Sequence, residues 1–369
     1  MPSGNRRTWY CLVLLGAMLC GCVAGEEPMD DAHAQVSTQP ARTESATSGL
    51  KRPAEIEPEA TIEPEATITP EATIEPEATI EPTEDPAAPP GTAPTLTGRP
   101  AGERYEPLLD RMSADLRQGR PVVVHVAVVL CDNLYVSCGR GGLGEGNEPA
   151  RNLYWGALYG VKTMFRAADS GWREIYQESS HAAEGVAEVR IFQKTYPAAG
   201  PWVRRGVDRP VRVLLVAEAY EGGAHLDALR NYFGWLSGRG SRTWTLPSGE
   251  VVRGGAAGHV IGFVGHDYLM HPSIRMQTSA ASRGPETPIG TFALACDSAD
   301  YFGPKILGEG IIRLAMTCSF MAPEAYSLLG MLEALGRGEG PESMRERAAA
   351  QYARYQRISI GAARTVFCP

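Results

Sequence analysis

From residue 101 onward, short continuous apolar runs alternate with stretches of helical period. Leu108, Leu109, Met112 and Leu116 fall on one face of a helix, and Pro121 to Leu130 (PVVVHVAVVL) reads as a buried strand. A helix is expected from about Ala150 to Ala168, with Tyr154, Trp155, Tyr159 and Phe165 as its core face. Two alternating segments, Trp172 to Gln177 and Val186 to Lys194, predict a β-hairpin inserted at a sheet edge. Further strands are expected at Val211 to Glu218, Gly258 to Gly265, Thr291 to Cys296 and Ile311 to Cys318. Helices are expected from about His225 to Leu236, near 322 to 336 and near 341 to 357. Buried strands alternating with helices imply an α/β domain, a mostly parallel sheet with helices on both faces. No second linker interrupts this stretch, so residues 104–369 are expected to form one domain.

The first hundred residues follow other rules. Arg6 and Arg7 precede an apolar run, Trp9 to Leu19, that is too short for a permanent membrane span and reads as a signal peptide over residues 1–21. Its end, Leu19-Cys20-Gly21-Cys22, resembles the lipobox of bacterial lipoproteins, and that resemblance implies a lipid on Cys22. Val23 stands where an inner-membrane retention signal carries Asp, so in a Gram-negative host the resemblance favours the outer membrane. Residues 22–103 are rich in Glu, Pro, Thr and Ala and repeat Glu-Pro-Glu-Ala-Thr-Ile from Glu57 to Pro82, with Thr69 in place of one Glu. Such a composition cannot bury enough apolar surface to fold, and its regular prolines block helix and sheet, which predicts a disordered tether. A coil of some 80 residues would hold the domain on the order of 50 Å from its anchor.

Charge sharpens the division. Residues 26–100 carry 16 acidic and 4 basic side chains against a net charge of −8 for the chain, so the folded part is near neutral and nucleic acid is not an expected partner. Membrane lipid, through Cys22, and a peptide or protein are the expected partners.

In a parallel sheet the reactive groups lie just past the carboxyl ends of the strands. Those positions hold Cys131-Asp132-Asn133, Glu218, His266-Asp267 and Cys296-Asp297. Were the strands before His266 and Cys296 neighbours, imidazole and thiol would meet as a nucleophile and its proton donor. The next helix is expected only after Tyr301, at some distance from the sulfur. After loss of the signal peptide and lipidation five cysteines remain, at 131, 138, 296, 318 and 368; an odd number leaves one thiol outside disulfides unless another chain pairs with it. Cys131 and Cys138 could close a short loop, but the pairing is not legible.

Other motifs fail on context. Gly139 to Gly144 fits G-x-G-x-x-G but neither follows its strand directly nor opens the next helix, so it reads as a loop over the strand ends. His266, Asp267 and His271 match no helical zinc spacing, and Pro272 argues against a helix there, so no metal and no cofactor are expected.

Strand, Gly265-His266, strand, Ala295-Cys296 resembles the caspase-like cysteine peptidases, which include caspases, gingipains, legumain, clostripain and separase. The resemblance covers roughly residues 121 to 335. It implies a caspase-like fold in which Cys296 is the nucleophile and His266 the general acid. It also implies Asp132, Asp267 and Asp297 as candidates for binding a basic substrate side chain. One residue departs from the family: Asp267 stands where the family has glycine, whose N–H assists the oxyanion. The alternative reading is a non-catalytic binding or scaffolding lipoprotein.

Overall fold

The structure is a computed structural model that describes residues 101–181 and 185–369. The signal peptide, Cys22 and the repeat lie outside the described residues. In chain order the first elements are α1 (Ala101–Arg117), β1 (Val122–Val129), α2 (Val161–Arg166), β2 (Arg173–His181), β3 (Val186–Tyr196), α3 (Pro201–Arg204) and β4 (Val211–Tyr220). Next come α4 (His225–Leu236), β5 (Ser241–Thr245), β6 (Val251–Gly255), β7 (Val260–Val264), α5 (Pro272–Met276), β8 (Ala281–Ser282) and β9 (Ile289–Leu294). The last are α6 (Ser298–Tyr301), β10 (Ile306–Leu307), β11 (Ile311–Thr317), α7 (Ala325–Gly336), α8 (Pro341–Gln356), α9 (Ile360–Arg364) and β12 (Phe367–Cys368).

Eight strands form one sheet in the order β12-β11-β9-β7-β1-β4-β3-β2. The five central strands, β11 to β4, are mutually parallel, and both edges are antiparallel: the β2–β3 hairpin on one side and β12 on the other. All eight residues of β1 are buried, the signature of a strand covered on both faces. Its even positions, Val122 to Val128, join the core with α1, α2, α7 and α8. Its odd positions Val123, Ala127 and Val129 join a second core with α4 and the β5–β6 hairpin. The expected α/β architecture and edge hairpin are therefore present, and the sheet is consistent with a caspase-like arrangement.

Three local expectations need correction. Residues 150–160 are turns, and the helix there is only Val161–Arg166. The cause is Asn152, whose side chain accepts from the Cys131 and Tyr154 N–H groups and donates to the Cys131 and Glu145 carbonyls, competing with helical bonding. Gly156 seals the turn: a Cβ there would stand 2.4 Å from the Pro149 carbonyl oxygen. Tyr154, Trp155 and Phe165 are still buried, but Tyr159 is exposed, edge-on to Tyr326 and Tyr355. Pro272 does not exclude a helix; it occupies the first turn of α5, where its missing N–H costs nothing. The helix placed after Tyr301 instead begins at Ser298 and ends at Tyr301.

Disulfides join Cys131 to Cys138 and Cys318 to Cys368, which leaves Cys296 outside them. The first closes the loop after β1. The second ties β12 to the end of β11.

Candidate active site

The chain leaves β1 toward β4 on one side and later returns to β7 on the other, so β1 and β7 flank the point where the order of winding reverses. In open parallel sheets the carboxyl ends of strands at such a reversal are where ligands bind. At this one Tyr135, from the Cys131–Cys138 loop, lies with its ring 6.2 Å from that of His266. Here β7 and β9 are parallel neighbours with Val264 opposite Leu294, and the Gly265 N–H extends the pairing to the Leu294 carbonyl at 3.3 Å. His266 and Cys296 thus each stand two residues beyond the same rung, on strands whose backbones run about 4.8 Å apart.

Cys296 is half-buried, and its sulfur sits 3.5 Å from both the N–H and the carbonyl of Met321 in the loop after β11. The turn below it is fixed by Ser298, whose N–H donates to the Thr317 hydroxyl and whose hydroxyl donates to the Ala293 carbonyl. The Thr317 hydroxyl in turn donates to the Ala295 carbonyl. Asp297, directly after the cysteine, has φ +48°, a left-handed conformation unusual for a side-chain-bearing residue. Its N–H donates to the Ser319 carbonyl, which holds the turn against β11's loop.

His266 is enclosed by rings. Tyr268 lies edge-on at 4.9 Å, and the two Nε2 atoms of His266 and His271 are 3.1 Å apart. Burial pushes His266 down to about 4, with repulsion from His271 and His225 adding to it, so the imidazole is neutral near pH 7. Neutral imidazole is the form able to take a thiol proton.

The three aspartates differ. Asp132 lines a cleft of about 360 Å³ at the ends of β1 and β4 together with Glu145, Glu221 and Asn147. Gly222 lets the loop after β4 approach it, since a Cβ there would meet the Asp132 Cβ at 2.6 Å. Asp297 is partly exposed, and its carboxyl is raised by burial and by Asp300. Asp267 is 0% exposed, and its Oδ1 accepts the Leu269 N–H and caps the single turn Tyr268–Met270. Burial, together with Asp297, pushes Asp267 up to about 7 against the backbone hydrogen bonds that favour its charge. The glycine-rich segment after Cys138 contributes Gly144 and Gly146 to the Asp132 cleft.

No family model, curated protein or solved structure matches the chain. Its chemistry must be read from the residues themselves. Among the described residues no group of three or more His, Cys, Asp or Glu is arranged to hold a metal ion, although His225, His266 and His271 lie near one another. Sequence reasoning singled out Cys296, His266 and Asp132, and weighed His271 only as a metal ligand; it missed Tyr135 beside His266, Met321 beside Cys296, and the Glu145 and Glu221 carboxylates beside Asp132.

Asp267 gives a test of this electrostatics. Its ordinary value is 3.8, so a carboxyl held at about 7 keeps in the folded domain a proton that the unfolded chain loses. The stability this contributes is fully present below 3.8 and is lost as pH rises through about 7. Asp267→Asn retains an acceptor for Leu269 and removes the charge. It is expected to stabilise the domain by about 1–3 kcal/mol at pH 8 and by much less at pH 5, measured by urea unfolding. An equal effect at both pH values would contradict the burial of this charge.

Proposed function

We propose that the domain is a caspase-like cysteine endopeptidase of the cell envelope, tethered through lipid on Cys22. The observation carrying this reading is the position of Cys296: the one described cysteine outside a disulfide follows β9, level with the histidine that follows neighbouring β7. In the proposed reaction the Cys296 thiol gives its proton to His266 while the sulfur bonds to the peptide carbonyl carbon. His266 then passes that proton to the amine as the C–N bond breaks. Water, deprotonated by the same imidazole, cleaves the thioester and restores the thiol. With Asp267 folded inward, its side chain is directed to Leu269 rather than toward a developing oxyanion, which removes the conflict raised by a carboxylate in the family's glycine position.

The cleft holding Asp132, Glu145 and Glu221 has three carboxylates among its lining residues and no lysine or arginine, which suits an Arg or Lys side chain of the substrate. Digestion of a positional peptide library tests this. The expected preference is for basic over acidic residues by tenfold or more, falling about tenfold in Asp132→Asn, since about 1.4 kcal/mol of lost charge pairing is a factor of ten. Cleavage without such a preference would leave the peptidase reading and remove the pocket assignment.

A further inference from the structure

His271 lies five residues past His266 and is returned to it by a short turn. Asp267 caps the turn Tyr268–Met270, the His271 N–H donates to the Tyr268 carbonyl at 3.1 Å, and Pro272 opens α5 immediately afterward. The result brings Nε2 of His271 to 3.1 Å from Nε2 of His266, with the Tyr135 ring 6.2 Å from one imidazole and 5.1 Å from the other. At that separation two lone pairs cannot face each other. One nitrogen must carry the proton and the other must accept it. The ring nitrogen of His266 that this contact leaves open is Nδ1.

We propose that His271 is a positioning residue that accepts the Nε2–H of His266 and so fixes the tautomer in which Nδ1 is the base for Cys296. This rests on the peptidase reading of the pair. The proton of Cys296 passes to Nδ1 and the S–H electron pair stays on sulfur; Nε2–H remains on His266, where the bond to His271 orients the ring and strengthens as it becomes an imidazolium. When the amine leaves with the Nδ1 proton, the starting tautomer returns. A carboxylate or carbonyl beside a catalytic histidine does the same work in other hydrolases, and a wrongly protonated ring there is costly. A second imidazole suits a partly buried site because it accepts the hydrogen bond without adding a negative charge.

The experiment measures alkylation of Cys296 by iodoacetamide in the full chain, with the adduct mapped by mass spectrometry, alongside nitrogen NMR of the imidazoles. His266→Ala is expected to slow alkylation at least about tenfold through loss of the base. His271→Phe keeps a ring but no acceptor and is expected to slow it about tenfold; His271→Gln restores an acceptor and should stay within about threefold of wild type. In the unaltered chain NMR should show the proton on Nε2 of His266 and not on Nε2 of His271, a readout independent of how the variants fold. Slowing by His266→Ala with none by His271→Phe overturns the inference alone, as do equal losses in the Phe and Gln variants or the opposite tautomer. No slowing by His266→Ala overturns the dyad and the inference with it.

Discussion

Glu218→Ala is expected to destabilise the domain by about 3–5 kcal/mol, because it removes the one carboxylate at the centre of a buried polar cluster. Glu218 is 1% exposed near the end of β4. Its Oε1 lies 3.0 Å from Nε of Arg242 and 3.3 Å from Nε2 of His125, and its Oε2 accepts from the Tyr220 hydroxyl at 2.7 Å. Burial alone would raise the carboxyl; His125, Arg242 and Tyr220 outweigh it and hold the group below the ordinary range. The His125 tautomer is fixed from the other side, since Nδ1 accepts the Gly255 N–H at 2.7 Å and Nε2 therefore carries the proton facing Glu218. At 3.3 Å the His125–Glu218 contact lies within ion-pair distance, and it helps hold the carboxyl low.

Arg242 from β5 and Gly255 from β6 join the β5–β6 hairpin to this cluster, while Glu250 in its turn pairs with Arg212 of β4. Losing the carboxylate removes the ion pair between Glu218 and Arg242 and loosens the hairpin first. Urea unfolding measures the loss, and hydrogen exchange should accelerate most over residues 241–255. Because Glu218 is held low, its contribution is present above the ordinary carboxylate value and lost as pH falls below it, so the gap between variant and wild type should narrow in acid. Glu218→Gln keeps the acceptor for Tyr220 and is expected to cost less than Ala.

Cys296→Ala is expected to abolish peptide cleavage, lowering kcat/KM by at least about a thousandfold, with His266→Ala losing a comparable factor because the two act as one unit. Stability should move little. Cys296 is half-buried, and the turn beneath it is held by Ser298 and Thr317 rather than by the sulfur. A large loss of stability in Cys296→Ala would mean that the sulfur packs the loop after β11 rather than serving chemistry.

The sheet was legible where burial imposes a pattern. Strands β1, β4, β7, β9 and β11 are apolar on both faces, and α4, α7 and α8 appear close to where periodicity places them. The β5–β6 hairpin escaped because the pattern Ser-Arg-Thr-Trp-Thr buries only Trp244, against Val252 of β6. Strand β12 has two residues, paired with the end of β11 and tied to it by the Cys318–Cys368 bond, which spacing cannot reveal. The turns after Cys138 were misread as a helix because Tyr154 and Trp155 had to be buried, and a buried asparagine that replaces helical bonding looks like any other polar position.

At the site, Cys296 and His266 were readable as strand-end residues, since parallel sheets place reactive groups there. Asp267 was legible along the chain, but its burial and its bond to the Leu269 N–H were not. Whether a carboxylate faces solvent or caps the next turn depends on one dihedral choice that no periodicity records. Tyr135 is 131 residues from His266 in sequence and comes near it only because β1 and β7 are neighbours.

In the proposed peptidase Cys296 is a nucleophile served by His266. The direct measurement is labelling of the full chain with a peptidyl acyloxymethyl ketone bearing lysine or arginine beside the electrophile, followed by mass mapping of the adduct. A single saturable thioether is expected at Cys296, lost in Cys296→Ala and formed at least about tenfold more slowly in His266→Ala. No adduct at Cys296, or labelling at the same rate with and without His266, would contradict that role and leave the domain as a binding or scaffolding protein.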